Sequence, residues 1–151
     1  MEVKEAIEKA RRDEGVRKLT GYFLCSCFAC LKDKKDKITE WTLLFYNPRN
    51  NKVIDCFVNS KFVTIGEETP PLAEVERPDF NDISVGAEDA LDSAAKKFSK
   101  STINVLVTLH KNPAVWTINF ISGDMMATTF DIDTKTGKIL RQEETSLIRK
   151  L

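Results

Sequence analysis

The sequence predicts an α+β protein made of two tandem repeats, each a helix packed on an antiparallel β-sheet. The order of predicted elements is the first reason, because a helix followed by four strands occurs twice in 151 residues. The second reason is that both tryptophans of the chain, Trp41 and Trp116, lie in similar aromatic strands. We therefore expect a divergent first repeat at residues 1–69, a connector at 70–82 and a second repeat at 83–151.

The first repeat is expected to begin with an amphipathic helix over residues 1–14. Its apolar residues recur at spacings of three and four, which places them on one helical face; they are Val3, Ala6, Ile7 and Ala10. Gly15 is the expected C-terminal stop. Strands are predicted at 21–31, 38–46, 52–58 and 61–65. In the second of them Trp41, Leu43 and Phe45 should face one side of the sheet, and Thr42, Leu44 and Tyr46 the other.

Residues 66–82 break this pattern, and their prolines (Pro70, Pro71 and Pro78) oppose both helix interiors and sheet pairing. The second repeat is then expected to begin with a helix over 84–99, for which Ser84 or Asp82 could supply the N-terminal cap. Strands are predicted at 102–110, 115–121, 126–133 and 138–142.

The two halves also agree residue by residue. Residues 41–45 match 116–120 at an offset of 75. With one extra residue in the second turn the offset becomes 76, which matches Ile54-Asp55-Cys56 with Phe130-Asp131-Ile132 and residues 67–69 with 143–145. Because a lone unit of about 70 residues is marginally stable, we expect the two repeats to share an interface or one continuous sheet.

The second half resembles the PepSY family. The resemblance lies in an Ala-rich helix, an aromatic-led strand at 115–120 and the ending FDIDTKTGKIL at 130–140. In that ending, Asp133 can bond the backbone two residues on, and Gly137 can supply a positive φ at the turn. The first half matches only through the internal repeat, since Asn59-Ser60-Lys61 replaces Lys135-Thr136-Gly137 and has no glycine.

This resemblance implies a small non-catalytic module. PepSY units occur in propeptides of thermolysin-type peptidases, in membrane-associated proteins and as tandem pairs, and a peptidase-inhibitory or protein-binding role is proposed for them. They are usually extracytoplasmic. No catalytic residue and no cofactor is therefore expected.

Charge argues against a nucleic-acid partner. Residues 1–75 carry 13 basic and 12 acidic side chains, and residues 76–151 carry 10 and 11, so neither half is a basic surface of the kind that binds phosphates. No apolar run reaches the length of about 20 residues that crosses a bilayer. With no signal peptide in view we expect a soluble, cytoplasmic protein without membrane insertion; a chain whose leader or anchor had been removed would look the same and would be extracytoplasmic.

Four cysteines raise a metal-binding or redox alternative. Cys25, Cys27 and Cys30 form a C-x-C-x-x-C segment, and several sulfurs at close spacing suit zinc or a cluster. Strand geometry opposes this interpretation, because Cys25 and Cys27 should point to one face and Cys30 to the other. We expect these residues to pack in the core as small apolar side chains.

Other candidate chemistry is weak. His110 is the only histidine and is expected to be a surface loop residue at a strand end. Asp131 and Asp133 share a strand face and could bind a metal or transfer protons, but we expect them to line a hairpin edge in water. No phosphate-binding glycine motif is present.

The sequence thus favours a non-enzymatic protein- or peptide-binding, regulatory module whose partner is not identified. Binding is expected at a sheet face or at an exposed edge, where an extended peptide can add a strand. The same edge could support a weak homodimer.

Overall fold

The computed structural model describes residues 1–148, and residues 149–151 of the expected second repeat lie outside this range. The helices are α1 (Val3–Arg12), α2 (Glu14–Arg17) and α3 (Ala87–Ala95). The strands are β1 (Phe23–Leu31), β2 (Glu40–Asn47), β3 (Lys52–Asn59), β4 (Val63–Thr69), β5 (Thr102–His110), β6 (Val115–Ser122), β7 (Met126–Asp133) and β8 (Ile139–Ser146).

All of these strands form one open antiparallel sheet in the order β4-β3-β2-β1-β5-β6-β7-β8. Each half of the chain is a four-stranded meander, and the two halves join where β1 pairs with β5, for example at Cys27–Leu109 and Ala29–Val107. The predicted α+β class is therefore correct, and the two halves share one continuous sheet.

The helices α1 and α3 pack on the same face of this sheet and enclose one core. In β2 the residues Trp41, Leu43 and Phe45 are buried, as their alternation predicts. Large, fully buried side chains come from both halves and include Trp41, Leu43, Val58, Leu109, Trp116, Ile118, Phe120, Phe130 and Ile132. Because this core spans the β1–β5 junction, neither half encloses its own apolar residues independently.

Each tryptophan forms a hydrogen bond from its strand to the backbone just before a helix. The Trp41 Nε1–H donates to the carbonyl of Met1 at 2.9 Å, and the Trp116 Nε1–H donates to the carbonyl of Val85 at 2.8 Å. Both acceptors lie two residues before the first residue of a helix, α1 or α3. A buried indole N–H needs such a partner, so these bonds fix the position of each helix start on the sheet.

The predicted helix ends need correction. The first helix ends at Arg12, because Asp13 is extended and its carboxylate accepts from the Val16 N–H at 3.1 Å, which caps α2. Gly15 therefore lies inside α2 and does not end α1. The second helix spans only Ala87–Ala95 and has Gly86 at its N-cap position with no side-chain bond, so neither Ser84 nor Asp82 caps it.

Two strands are longer than predicted. β4 continues to Thr69 and β8 to Ser146. In both, the added residues are charged or small and exposed, and propensity alone does not favour a strand for them. Pairing with β3 and β7 provides the stabilisation, so residues 66–69, which were expected to break the strand pattern, belong to β4.

The predicted alignment of the two halves beyond the second turn is wrong. The turn between β6 and β7 covers 123–125 and that between β2 and β3 covers 48–51, so the second turn is one residue shorter. Val58 pairs with Trp41, and Ile132 pairs with Trp116. In this register Asp131 of the second half is equivalent to Phe57 of the first half, and not to Asp55.

Candidate functional site

The face of the sheet opposite the helices carries a cavity of about 780 Å³, which the connector partly covers. On the sheet side it is lined by Cys25, Ser26, Phe28, Leu44, Val53 and Asp55, with His110 and Lys111 from the second half. Residues 69–76 line the other side. The proline-rich connector thus lies over the junction of the two halves, and its prolines explain why it covers the sheet without pairing with it.

A β-bulge in β1 shapes the floor of this cavity. Leu24 pairs with Phe45 and Ser26 with Leu44, so Cys25 is an extra residue in the strand. Its Sγ donates to the Leu44 carbonyl at 3.3 Å. The bulge places Cys25 beside Ser26 at the cavity, on the opposite side of the sheet from Cys27 in the core. The prediction that Cys25 and Cys27 share a face is therefore wrong.

The cysteines give no support to the metal or redox alternative. Cys27 and Cys56 lie in the core, Cys25 is buried at the cavity and Cys30 is exposed. The prediction that Cys25, Cys27 and Cys30 all pack in the core is therefore correct only for Cys27. Burial raises the pKa of the Cys25 and Cys56 thiols to about 11, and it raises that of Cys27 as well. Such thiols stay protonated near neutral pH, so they are poor nucleophiles and poor ligands. Within residues 1–148, no three His, Cys, Asp or Glu side chains are grouped to hold a metal ion.

The connector is anchored at its far end by an aromatic contact. The Arg77 guanidinium lies 4.9 Å from the centroid of the Phe23 ring, and Phe23 packs edge-on against Tyr46. Between these anchors and β4, Leu72 is fully exposed. The connector therefore presents the large apolar side chain of Leu72 to solvent at the cavity.

A chain of hydrogen bonds runs from the cavity across β5 to β8. His110 Nε2 lies 2.7 Å from Thr117 Oγ1, and the Thr117 hydroxyl donates to Asp131 Oδ1 at 2.7 Å. Arg141 Nε donates to Asp131 Oδ2 at 2.8 Å, and the Lys111 ammonium lies 3.8 Å from the same oxygen. Because the Thr117 proton is directed to Asp131, the hydroxyl oxygen must accept from His110, which therefore carries its proton on Nε2.

The charges of this polar network are set by its surroundings. Burial and the nearby Lys111 lower the pKa of His110, so its imidazole is neutral near pH 7. Burial alone raises the pKa of the Asp131 carboxyl, but the hydrogen bonds from Arg141 and Thr117 outweigh burial and leave the pKa below its ordinary value. The negative charge of Asp131 is thus stabilised by Arg141 and Thr117, so this carboxylate is not available as a general acid or base.

These positions correct two sequence predictions. His110 is the last residue of β5 and is half-buried, so it is not a loop residue. Asp131 is only 6% exposed and does not line a hairpin edge in water. Asp133 does behave as predicted, since it accepts from the Lys135 N–H at 2.8 Å, and Gly137 has the predicted positive φ of 77°.

Sequence reasoning missed Thr117 and Arg141 entirely. The available signal was the placement of polar residues within otherwise apolar strands, because a charged residue such as Asp131 in a strand interior needs a partner on the neighbouring strand. Which strands are neighbours, and in which register, was the missing information. The pairs Thr117–Asp131 and Asp131–Arg141 are directly opposite in the sheet.

In the part of the chain that the structure describes, no helix is both long and apolar enough to cross a bilayer. The helices that contact the sheet, α1 and α3, bury one face each and expose the other.

Comparison with known proteins finds a family match for part of the chain and one similar fold. No curated protein matches it. A solved structure from Clostridium difficile 630, described as a "putative lipoprotein", has the same fold with a TM-score of 0.61, covering 96% of this chain and 93% of the other at 15% identity. At that identity the likeness shows the fold alone. The family model "Peptidase propeptide and YPEB domain" matches residues 84–143, which contain α3 and most of β5–β8. A PepSY domain is therefore found at residues 84–143, within the second half of the chain.

Proposed function

We propose that this protein is a non-enzymatic module that binds an extended segment of a protein or peptide on the open face of its sheet, and that it acts as a regulator, for example of a peptidase. The cavity between β1–β3 and the connector is the observation that carries the proposal. Its volume of about 780 Å³ is in the range of recognition pockets. The PepSY domain at residues 84–143 supports a propeptide-like or regulatory role.

The chemistry of the cavity and of the polar network beside it supports binding over catalysis. The Cys25 thiol is protonated near neutral pH, and the Asp131 carboxylate is held by Arg141 and Thr117. A general acid or base needs a proton that it can exchange with a substrate, whereas these groups are engaged within the protein. The polar network is better suited to holding His110 in one orientation at the cavity wall.

The sheet edge offers a second contact for a partner. β8 is the outer strand of the second half, and its Leu140 is 57% exposed. An extended peptide can pair with the free backbone groups of such a strand. Weak self-association into a homodimer through this edge belongs to the same proposal, and light scattering over a concentration series tests it.

We also propose that the two halves are tandem PepSY-like repeats, with boundaries at 1–69, 70–82 and 83–151. The shared order of one sheet-packed helix and four strands supports this, and so does the matching geometry of Trp41 and Trp116. The first repeat is the divergent one, since the family model matches only the second half. Expression of residues 83–151 alone would test whether a single repeat folds.

For the location we propose the reducing cytoplasm. Four free cysteines, of which Cys30 is exposed, support it, because exposed thiols are uncommon in oxidising compartments. The described lipoprotein character of the structural neighbour supports the opposite location. Fractionation of cells that express the native gene distinguishes the two.

A peptide display selection on the immobilised full chain tests the binding function. Enriched peptides should bind the wild-type protein and lose affinity for Ser26→Phe, in which an aromatic ring fills the cavity from β1. A matched control is Ser84→Phe, since Ser84 is exposed and does not line the cavity. Failure to enrich any peptide, or enrichment that Ser26→Phe leaves unchanged, would contradict binding on the open face.

A further inference from the structure

The charged side chains that line the open-face cavity are mostly acidic. Asp55 lies on β3, and Glu74 and Glu76 lie on the connector. None of these three carboxylates takes part in an ion pair within residues 1–148. Among the described residues, 1–148, the one lining cation is Lys111, and its ammonium is 3.8 Å from Asp131, a carboxylate outside the cavity lining. The cavity therefore carries an uncompensated negative charge.

The remainder of the lining is largely apolar. Phe28, Leu44 and Val53 form the sheet side, and Pro70 and Val75 belong to the connector. An apolar group that enters the cavity is removed from water by both the sheet and the connector, and burial of each methylene favours binding. Acidic groups beside an apolar wall favour a ligand that is itself apolar with a positive charge at one end.

The orientation of His110 adds a hydrogen-bond acceptor to the same wall. Its Nε2–H donates to Thr117, so in the neutral ring Nδ1 keeps a lone pair. The His110 side chain is half-buried and lines the cavity. A histidine acceptor in the same lining as these carboxylates suits a ligand that donates hydrogen bonds, such as an ammonium group.

We infer that the open-face cavity binds an apolar chain that ends in a cation, the chemistry shared by a lysine in an apolar peptide and by a free alkyl amine. The inference rests on the proposed binding function and specifies its ligand. Asp55, Glu74 and Glu76 provide the charge, and Phe28, Leu44 and Val53 hold the chain.

Titration of the full chain with three probes of equal length tests this inference. The probes are n-octylammonium, n-octanoate and octan-1-ol, followed by NMR shifts of the cavity residues at low salt. We expect n-octylammonium to bind about fivefold or more tightly than either of the others, since one close charge pair in water contributes about that factor. The preference should shrink as added salt screens the carboxylates.

Two variants and one control assign the effect to the cavity. Asp55→Asn should reduce the preference for n-octylammonium, and Ser26→Phe should weaken binding of all three probes. Asp89→Asn removes one exposed carboxylate from α3 on the opposite face and should leave the preference unchanged. Equal binding of the three probes, stronger binding of n-octanoate, or insensitivity to both cavity variants would overturn the inference.

A pair of short peptides identifies the source of the cation. If Ac-Val-Lys-Val-NH₂ binds and Ac-Val-Glu-Val-NH₂ does not, the inference holds for a peptide side chain; if only n-octylammonium binds, it holds for a free amine and the peptide-binding function fails. If display enriches peptides that lack basic residues yet depend on Ser26, the binding function holds and this inference fails.

Discussion

The indole rings of Trp41 and Trp116 lie 6.0 Å apart between centroids, at an interplanar angle of 44°, in the core that both halves share. Each ring also bonds the backbone just before a helix, Trp41 to Met1 and Trp116 to Val85. The two anchors of α1 and α3 are therefore in direct contact. A substitution of one tryptophan should therefore change how much the other contributes to the stability of the fold.

This contact makes the two tryptophans energetically coupled. Trp41→Phe and Trp116→Phe should each lower the free energy of unfolding by about 2 kcal/mol, since each leaves a carbonyl without its donor and removes core volume. The double variant should lose about 1 kcal/mol less than the sum of the two, because the contact between the two indoles is lost only once. Urea unfolding followed by far-UV circular dichroism measures this, and strictly additive losses would contradict the coupling.

Protonation of His110 should destabilise the fold. Its folded-state pKa lies below the ordinary value of 6.5, so the unfolded chain binds the proton more tightly. The stability is complete above about 6.5 and falls as the pH falls from there towards the folded-state pKa. In His110→Gln, whose amide can still donate to Thr117, the slope of stability between about pH 7.5 and 5.5 should flatten. An unchanged slope would show that another group titrates.

Asp131 should stabilise the fold through Arg141 and Thr117. Asp131→Asn should cost about 2 kcal/mol, because it weakens charge-assisted hydrogen bonds in a nearly buried position. Since the folded-state pKa is depressed, this contribution is present above the ordinary pKa of 3.8 and is lost as the pH falls through the lower folded-state value. Acid unfolding of the variant should therefore be less steep.

The matched control is Asp124, which pairs with Lys100 at 3.0 Å on the surface. Exposed ion pairs contribute little, so Asp124→Asn should have a much smaller effect. Equal losses in the two aspartate variants would argue against a structural role for the network of His110, Thr117 and Asp131.

The turn between β7 and β8 should depend on its glycine. Gly137 has a φ of 77°, a conformation that costs a residue with a Cβ about 1 kcal/mol. Gly137→Ala should lower the melting temperature, although Val85 leaves room for the methyl group. Gly123→Ala is the control, since nothing lies within 4 Å of an added Cβ there and no positive φ is involved. A neutral Gly137→Ala would contradict the assigned turn geometry.

Thiol labelling should distinguish Cys30 from the other cysteines. Cys30 is exposed, whereas Cys25, Cys27 and Cys56 are buried with raised pKa values. Ellman's reagent should therefore modify one thiol rapidly in the folded protein and all four after unfolding, and Cys30→Ser should remove the rapid phase. Rapid modification of Cys25 would reopen a chemical role for the cavity thiol.

The periodicity of the sequence was sufficient to predict most of the helices and strands and the buried face of β2. Alternation in β2 placed Trp41, Leu43 and Phe45 correctly, and the Asp133–Gly137 turn followed from local chemistry. Such features depend on neighbours in the chain, so they can be inferred without tertiary information. The ends of β4 and β8 were missed because their exposed residues are held by pairing with another strand and not by their own propensity.

The candidate site could not be predicted in the same way. Cys25 reaches the cavity through a bulge, and a single inserted residue in a strand reverses which face a side chain occupies. The match of Asp55 with Asp131 failed for a related reason, since a turn one residue shorter changed the register of β7. Alternation fixes which residues share a face only when the strand is regular and its register is known.

The sequence alone determined the α+β class, the helix-then-strands order of each half and the PepSY resemblance of the second half. These rest on local periodicity and on contiguous motifs. Only the tertiary structure decided that β1 pairs with β5 in one sheet, that the connector lies over a cavity, and that His110, Thr117, Asp131 and Arg141 form one network. Those contacts join residues distant in the chain, and their geometry depends on strand register, which no local pattern specifies.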